Sequence, residues 1–248
     1  MALVWQKQVG DSRYEVRSHG ATVRLYSNGV FHSQWNPDDP LKGSLWELLL
    51  LPVFFRPVQQ VRRVLILGVG GGALIRLLQR FVAPEVIVGV DIDRHHLTVA
   101  RRFFGVRDAE LVCGDAREYV AELGAADGVE HFDLIVDDLF GHCGGVAERA
   151  IEADIPWCES LLKLLSQNGL VVSNFGSRKE LLASGWRSSA VRAHLQGSWS
   201  AELPDYENCI GIFSRQPLSL SALNDRAPAA ISPVSTRRRL DARLRPLR

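Results

Sequence analysis

A continuous apolar run, Val64-Leu65-Ile66-Leu67, leads straight into Gly68-Val69-Gly70-Gly71-Gly72, and a helical pattern of Leu74, Ile75, Leu77 and Leu78 follows. A strand without polar alternation is covered on both faces, the situation of a parallel sheet flanked by helices. Glycines between strand and helix permit a tight turn and close approach of the backbone to a ligand. The alternation then repeats. Val86 to Val90 ends in Asp91, and Arg94 to Phe104 reads as helix. Leu111-Val112 ends near Gly114-Asp115, and Phe132 to Val136 ends in Asp137-Asp138. Trp157 to Leu165 reads as helix with Asn168-Gly169 as its cap, and Leu170 to Ser173 as strand. Such a sequence builds an α/β domain, a mostly parallel doubly wound Rossmann sheet.

The flanks differ. Tyr14 to Arg17 and Ala21 to Tyr26 alternate apolar and polar residues, and Ser27-Asn28-Gly29 is a hairpin turn signal. A small antiparallel N-terminal β-domain with a connector, Ser44 to Phe55, is expected. The division is 1–57 for this β-domain and connector, 58–216 for the Rossmann-like domain and 217–248 for a loosely ordered basic tail.

Charge bears on partners. The chain's 29 basic and 28 acidic residues nearly cancel. The 23 residues from Arg226 carry seven Arg and one Asp, so the tail is +6 and the body −5. Nucleic acid is not an expected partner of such a body, and Arg237-Arg238-Arg239 reads as solvated tail. No apolar run reaches membrane-spanning length, and residues 1–10 have no signal-peptide core. Cys113, Cys143, Cys158 and Cys209 form no CxxC pair, which fits free thiols in a reducing compartment, and a cytoplasmic location is expected. No metal site is expected. His95-His96 reads as helix surface, and His142-Cys143 has no partner at ligand spacing. Trp5, Trp35, Trp186 and Trp199 read as packing residues.

The strand ends carry the chemistry. Gly68, Gly70 and Gly72 shape a nucleoside loop. Asp91 stands where a carboxylate can accept ribose hydroxyls, an arrangement shared by NAD enzymes and S-adenosyl enzymes. Asp93 suits a helix cap. Asp115, a third acid, can accept from an adenine amino group and favours an S-adenosyl ligand. Asp137 and Asp138 end a buried strand where open α/β sheets place their reactive groups, and one could hold a cation or act as base on an amine.

These residues resemble the spermidine synthases. Val64 through Arg76 is similar to their V-L-I-I-G-G-G-D-G-G-x-L-R segment, and Val90-Asp91-Ile92-Asp93 to V-E-I-D. Phe103-Phe104 resembles the aromatic before their third strand, and Gly114-Asp115-Ala116 their acid-plus-small turn. Phe132 to Asp138 resembles Y-D-V-I-I-x-D, and Trp157, Leu161, Leu165 and Gly169 follow a family helix. Pro204-Asp205-Tyr206 with Gly211-Ile212-Phe213 resembles the late P-T-Y-P and W-G-F segment, and Asn28-Gly29-Val30 the D-G-V hairpin. The resemblance spans about residues 14–215. It implies a methyltransferase-type Rossmann domain behind the β-domain, and aminopropyl transfer from decarboxylated S-adenosylmethionine to a small-molecule amine in polyamine biosynthesis. It further implies Asp91 on the ribose, Asp115 on the adenine and Asp138 as catalytic acid that also contacts the donor. Tyr206, Asp137, Glu47 and His32 would face the substrate amine, Gly141 to Gly145 would gate the site, and the protein would be a homodimer or homotetramer.

The departures lie in the amine half. The family's loop Asp is Gly71, and its second polyamine acid is Gly141. Its β-domain Gln is His32, only Glu47 remains of Y-H-E, and Glu207 follows the late Tyr. Two other readings stay open: a methyltransferase using S-adenosylmethionine, which Gly71 favours, and a nucleoside-binding relative without catalysis.

Overall fold

The structure, a computed structural model, describes residues 1–126, 128, 131–143 and 146–247, and of residues 142, 143, 146 and 147 it describes the backbone alone. The N-terminal sheet is antiparallel, in the order β1 (Ala2–Val9), β2 (Ser12–His19), β3 (Thr22–Ser27), β4 (Val30–Trp35). Asn28 and Gly29 both have positive φ, 50° and 81°, the signature of the two-residue turn that matches strand twist. β1 was not legible in the sequence, because nearly every residue of it is exposed and no burial pattern is imposed on it. The connector becomes α1 (Leu45–Leu50), tightening into a 3₁₀ turn at Leu51–Phe55 where Pro52 enters.

The second sheet has eight strands. β5 (Arg63–Leu67) leads to α2 (Ala73–Phe81), β6 (Val86–Asp91) to α3 (Arg94–Arg102), and β7 (Glu110–Cys113) to α4 (Ala116–Ala125). β8 (Phe132–Asp137) is followed by a hairpin, β9 (Phe140–Cys143) and β10 (Val146–Arg149), then by α5 (Ile155–Leu164) and β11 (Leu165–Phe175). α6 (Arg178–Ala183), α7 (Ser189–Arg192), β12 (Gly197–Glu202), β13 (Cys209–Ser214), α8 (Leu220–Arg226) and β14 (Arg243–Pro246) complete the chain. The sheet order is β14-β12-β13-β11-β8-β5-β6-β7. The five strands from β11 to β7 run parallel, and β13 is antiparallel to both β11 and β12. That mixed order is the expected Rossmann sheet. Its buried residues alternate between faces. Val64, Ile66, Leu134 and Val136 join the core shared with α1, α2 and the N-terminal sheet. Leu65, Leu67 and Ile135 pack with Trp157 and Leu161 on the other face.

Two expectations are corrected. Asn168-Gly169 does not cap a helix: both lie inside β11, where its pairing with β8 shifts register between Leu165 and Leu170. Residues 217–248 are not a loose tail either. Leu223, Ile231 and Leu240 are fully buried in the main core. Arg226 Nη1 donates to the Phe55 carbonyl at 2.8 Å, Arg239 forms a two-pronged pair with Asp39 (2.6 and 3.1 Å), and β14 adds to β12. Ser, Pro and Arg dominate the composition, but widely spaced apolar residues are enough to anchor the segment.

Candidate active site

The ends of β5, β6, β7 and β8 open into a cavity of about 400 Å³. Its floor is the glycine loop. Gly68 has φ +91°, and a Cβ there would lie 2.1 Å from the Asp138 carbonyl oxygen, so no other residue fits. Asp91 organises this loop: Oδ2 accepts from the amides of Val69 (3.0 Å) and Gly70 (2.9 Å), and Oδ1 from the amide of Asp93 (2.8 Å). Gly71 is held from the other domain, its amide donating to Ser33 Oγ of β4 at 2.7 Å.

His96 completes the Asp91 environment. It is buried, with Nδ1 3.6 Å from Asp91 Oδ2 and Nε2 2.9 Å from Ser27 Oγ. Burial opposes ionisation of Asp91, but the His96 ring and the backbone amides outweigh it, and the pKa falls below the ordinary carboxylate value. Burial likewise works against a charged His96, yet Asp91 and Asp93 raise its pKa. The surface expectation for His96 therefore fails. The helix face it occupies is covered by the N-terminal sheet, which a reading of α3 alone could not foresee. His95 is the half-exposed member of the pair.

Asp138 follows β8 and faces the cavity, half-buried. Its Oδ1 accepts from Asn174 Nδ2 at 2.8 Å, and Asn174 Oδ1 in turn accepts from Asn208 Nδ2 at 3.0 Å. Burial pushes the Asp138 pKa up to about 7, the Asn174 hydrogen bond pulling against it and the neighbouring Asp137 charge adding to it. Neither Asn was singled out from sequence. Asn174 closes β11 as Asp138 closes β8, so its strand-end position was a usable signal; Asn208 had none.

The remaining expected residues divide. Gly68, Gly70, Asp91, Asp115, Asp138, His32 and Tyr206 line one cavity. Asp115 also caps α4 through the Arg117 amide at 2.7 Å. Gly72 is outside the lining and begins α2. Asp137 is fully buried, paired with Arg149 and accepting from Trp157 Nε1 at 3.3 Å. It does not face the cavity, because strand pleating sends successive side chains to opposite sides. Glu47 lies behind the lining. It accepts from the amides of Gly43 and Ser44 and from Ser44 Oγ, closing a capping box on α1. Burial raises the Glu47 pKa. Burial, with the charges of Glu47 and Asp205, raises that of Tyr206. Of Gly141 to Gly145, residues 144 and 145 and the side chains of His142 and Cys143 lie outside the described residues. Gly141 itself lines the cavity. Among the described residues, no cluster of three or more His, Cys, Asp or Glu is arranged to hold a metal.

Three comparisons bear on this geometry. A polyamine aminopropyltransferase of Hyperthermus butylicus is 42% identical over 86 residues, 32% of this chain and 29% of that protein. A spermine synthase of Saccharomyces cerevisiae is 25% identical over 172 residues, 64% of this chain and 56% of that protein. The matched stretch thus spans under a third of the first relative and little more than half of the second. Among solved structures, a probable spermidine synthase from Corynebacterium glutamicum superposes with TM-score 0.73 at 15% identity, covering 99% of this chain and 91% of that one. Human methyltransferase-like protein 13, in complex with SAH, gives 0.62 at 18% identity, over 73% of this chain and 87% of that one. These two likenesses speak to the fold. The spermine/spermidine synthase domain matches residues 48–183, more than half of the chain and the stretch from within α1 through Asp91, Asp115 and Asp138 to α6, and the chain belongs to that family.

Proposed function

We propose that this protein transfers an aminopropyl group from decarboxylated S-adenosylmethionine to an acceptor amine. The observation that carries the reading is Asp138, a strand-end carboxyl with a pKa of about 7 on the floor of the cavity. A base with a pKa near the working pH suits removal of a proton from an attacking amine. At the other end, the loop amides occupy Asp91 Oδ2, and Oδ1, which accepts from the Asp93 amide, keeps one lone pair for a ribose hydroxyl. Asp115 lines the same cavity and would accept from an adenine amino group. Ile92, 75% exposed at the cavity mouth, offers an apolar face to the base.

The amine nitrogen attacks the carbon next to the sulfonium, and the carbon–sulfur bond breaks. Its electron pair leaves with sulfur as neutral methylthioadenosine. Asp138 takes the proton released by the new secondary amine. Because the leaving group is already activated, alignment and proton removal are what the protein must supply. Asn174 and Asn208 fix the carboxyl direction, and Tyr206 and His32 border the path of the amine.

Gly71 supports a second reading, methyl transfer from S-adenosylmethionine. A Cβ there would meet Phe104 Cζ and Ser33 Cβ at 2.7 Å each, so no acid at this position could greet the donor's aminopropyl cation. Calorimetry with both donors separates the two. Preference for the decarboxylated donor, with methylthioadenosine released when amines are added, supports aminopropyl transfer; much tighter binding of intact S-adenosylmethionine overturns it. The proposal includes a cytoplasmic location, which the free thiols Cys113, Cys158 and Cys209 support. It also includes a homodimer or homotetramer, supported by exposed apolar Leu3, Val4 and Val9 on β1.

A further inference from the structure

We infer that the acceptor is an amine with one positive charge on an apolar body, not a polyamine charged at both ends. The inference rests on the aminopropyl-transfer reading for its chemistry and extends it to the substrate class. Beyond Asp138 the cavity is walled by Phe31, Leu45, Trp46, Leu139, Ile151 and Tyr206. Phe31 and Trp46 meet edge to face at 5.2 Å, and Tyr26 supports Phe31 from 5.3 Å, so this wall is prebuilt.

The carboxylates of the cavity are already assigned. Asp91 and Asp115 serve the nucleoside end, and Asp93 accepts from Tyr14 Oη (2.6 Å) and the His95 amide (2.8 Å). Among the described residues lining the cavity, Asp138 is the carboxylate left for the amine. The two places where the family resemblance puts further acids are glycines. Position 71 is closed by Ser33 and Phe104, and at Gly141 a Cβ would meet only the Ala150 methyl, at 3.9 Å. Glu47 is spent on its helix cap, and Asp205 is exposed outside the lining. Behind the wall stand charges of both signs: the Arg24 guanidinium lies 5.7 Å from the Phe31 ring centre and lowers the Tyr206 pKa, while Glu47 and Asp205 raise it. A second ammonium here would lose water and, among the described lining residues, find no carboxylate beyond those already assigned. A methyl or aryl end would instead gain apolar contact.

The test compares putrescine with n-pentylamine, which match in length and differ by one ammonium against a methyl. Calorimetry at pH 8 on the protein saturated with methylthioadenosine reads amine binding without turnover. We expect n-pentylamine to bind at least about tenfold more tightly. Ile151→Asp, which adds a carboxylate to the wall, should move the preference toward putrescine by about tenfold. Equal or tighter binding of putrescine by the unaltered protein overturns the inference, as does binding of neither amine. Methylthioadenosine release from decarboxylated donor is scored separately. If no amine releases it, the transfer reading fails, whereas the binding preference still decides the amine class.

Discussion

At neutral pH the Asp138 carboxyl is divided between its ionised and neutral forms, since its pKa is about 7. The rate of transfer should therefore show a limb near pH 7 that vanishes in Asp138→Asn. That variant should lose turnover by about 10²–10⁴-fold and keep its affinity for methylthioadenosine, as initial rates and calorimetry would read. Stability carries the same signature with a definite sign. The folded pKa lies above the unfolded value, so the native state holds an extra proton between about pH 4 and pH 7. Stability falls as pH rises through that window. Asp138→Asn should gain on the parent there by on the order of 1–3 kcal/mol, measurable as urea midpoints at pH 4 and pH 8. At this scale the sequence was partly readable. Asp91, Asp115 and Asp138 end strands, and strand ends are where such sheets collect ligands. Asp137 misled because Arg149, twelve residues on, consumes its carboxyl, and Glu47 because the Ser44-x-x-Glu47 capping box takes it, a local signal that the resemblance overrode. His96 stayed hidden because its burial comes from Tyr14 of β2, Ser27 of β3 and His32 of β4.

Elements account for why four of the five loop residues are glycine. A Cβ would be crowded at each glycine: Gly68 meets the Asp138 carbonyl, Gly70 meets Ser33, Gly71 meets Ser33 and Phe104, and Gly72 meets Val106. Restoring the family acid by Gly71→Asp should therefore not restore polyamine recognition. It should overpack the interface between β4 and α3, costing about 1–3 kcal/mol in a denaturant titration. Gly68→Ala should shift the Asp138 backbone and depress turnover before it abolishes folding, which a rate assay paired with circular dichroism would reveal. The alternation of apolar runs and helical patterns made every strand from β5 to β8 legible, because burial on both faces writes itself into sequence. β1 and β14 were not, since an edge strand with exposed side chains imposes no such pattern.

For the whole molecule, the chain closes on itself through its last residues. Deleting 217–248 would uncover the sites of Leu223, Ile231 and Leu240 beside Phe55, a loss on the order of 5 kcal/mol. The truncated protein should melt well below the full chain or remain insoluble, as differential scanning calorimetry and sedimentation would report. Composition alone mistook this segment for a tail, because three anchors among many Arg, Ser and Pro barely alter an average.

β14 has a further consequence. It is four residues long, half of them Arg243 and Arg245, and it ends at Pro246, which has no amide hydrogen to offer. The sheet at the heart of the molecule thus finishes in a fringe of like charges that another chain's strand would find hard to extend. Growth by sheet addition is discouraged on that side, whereas the apolar Leu3, Val4 and Val9 of β1 stand exposed on the other sheet.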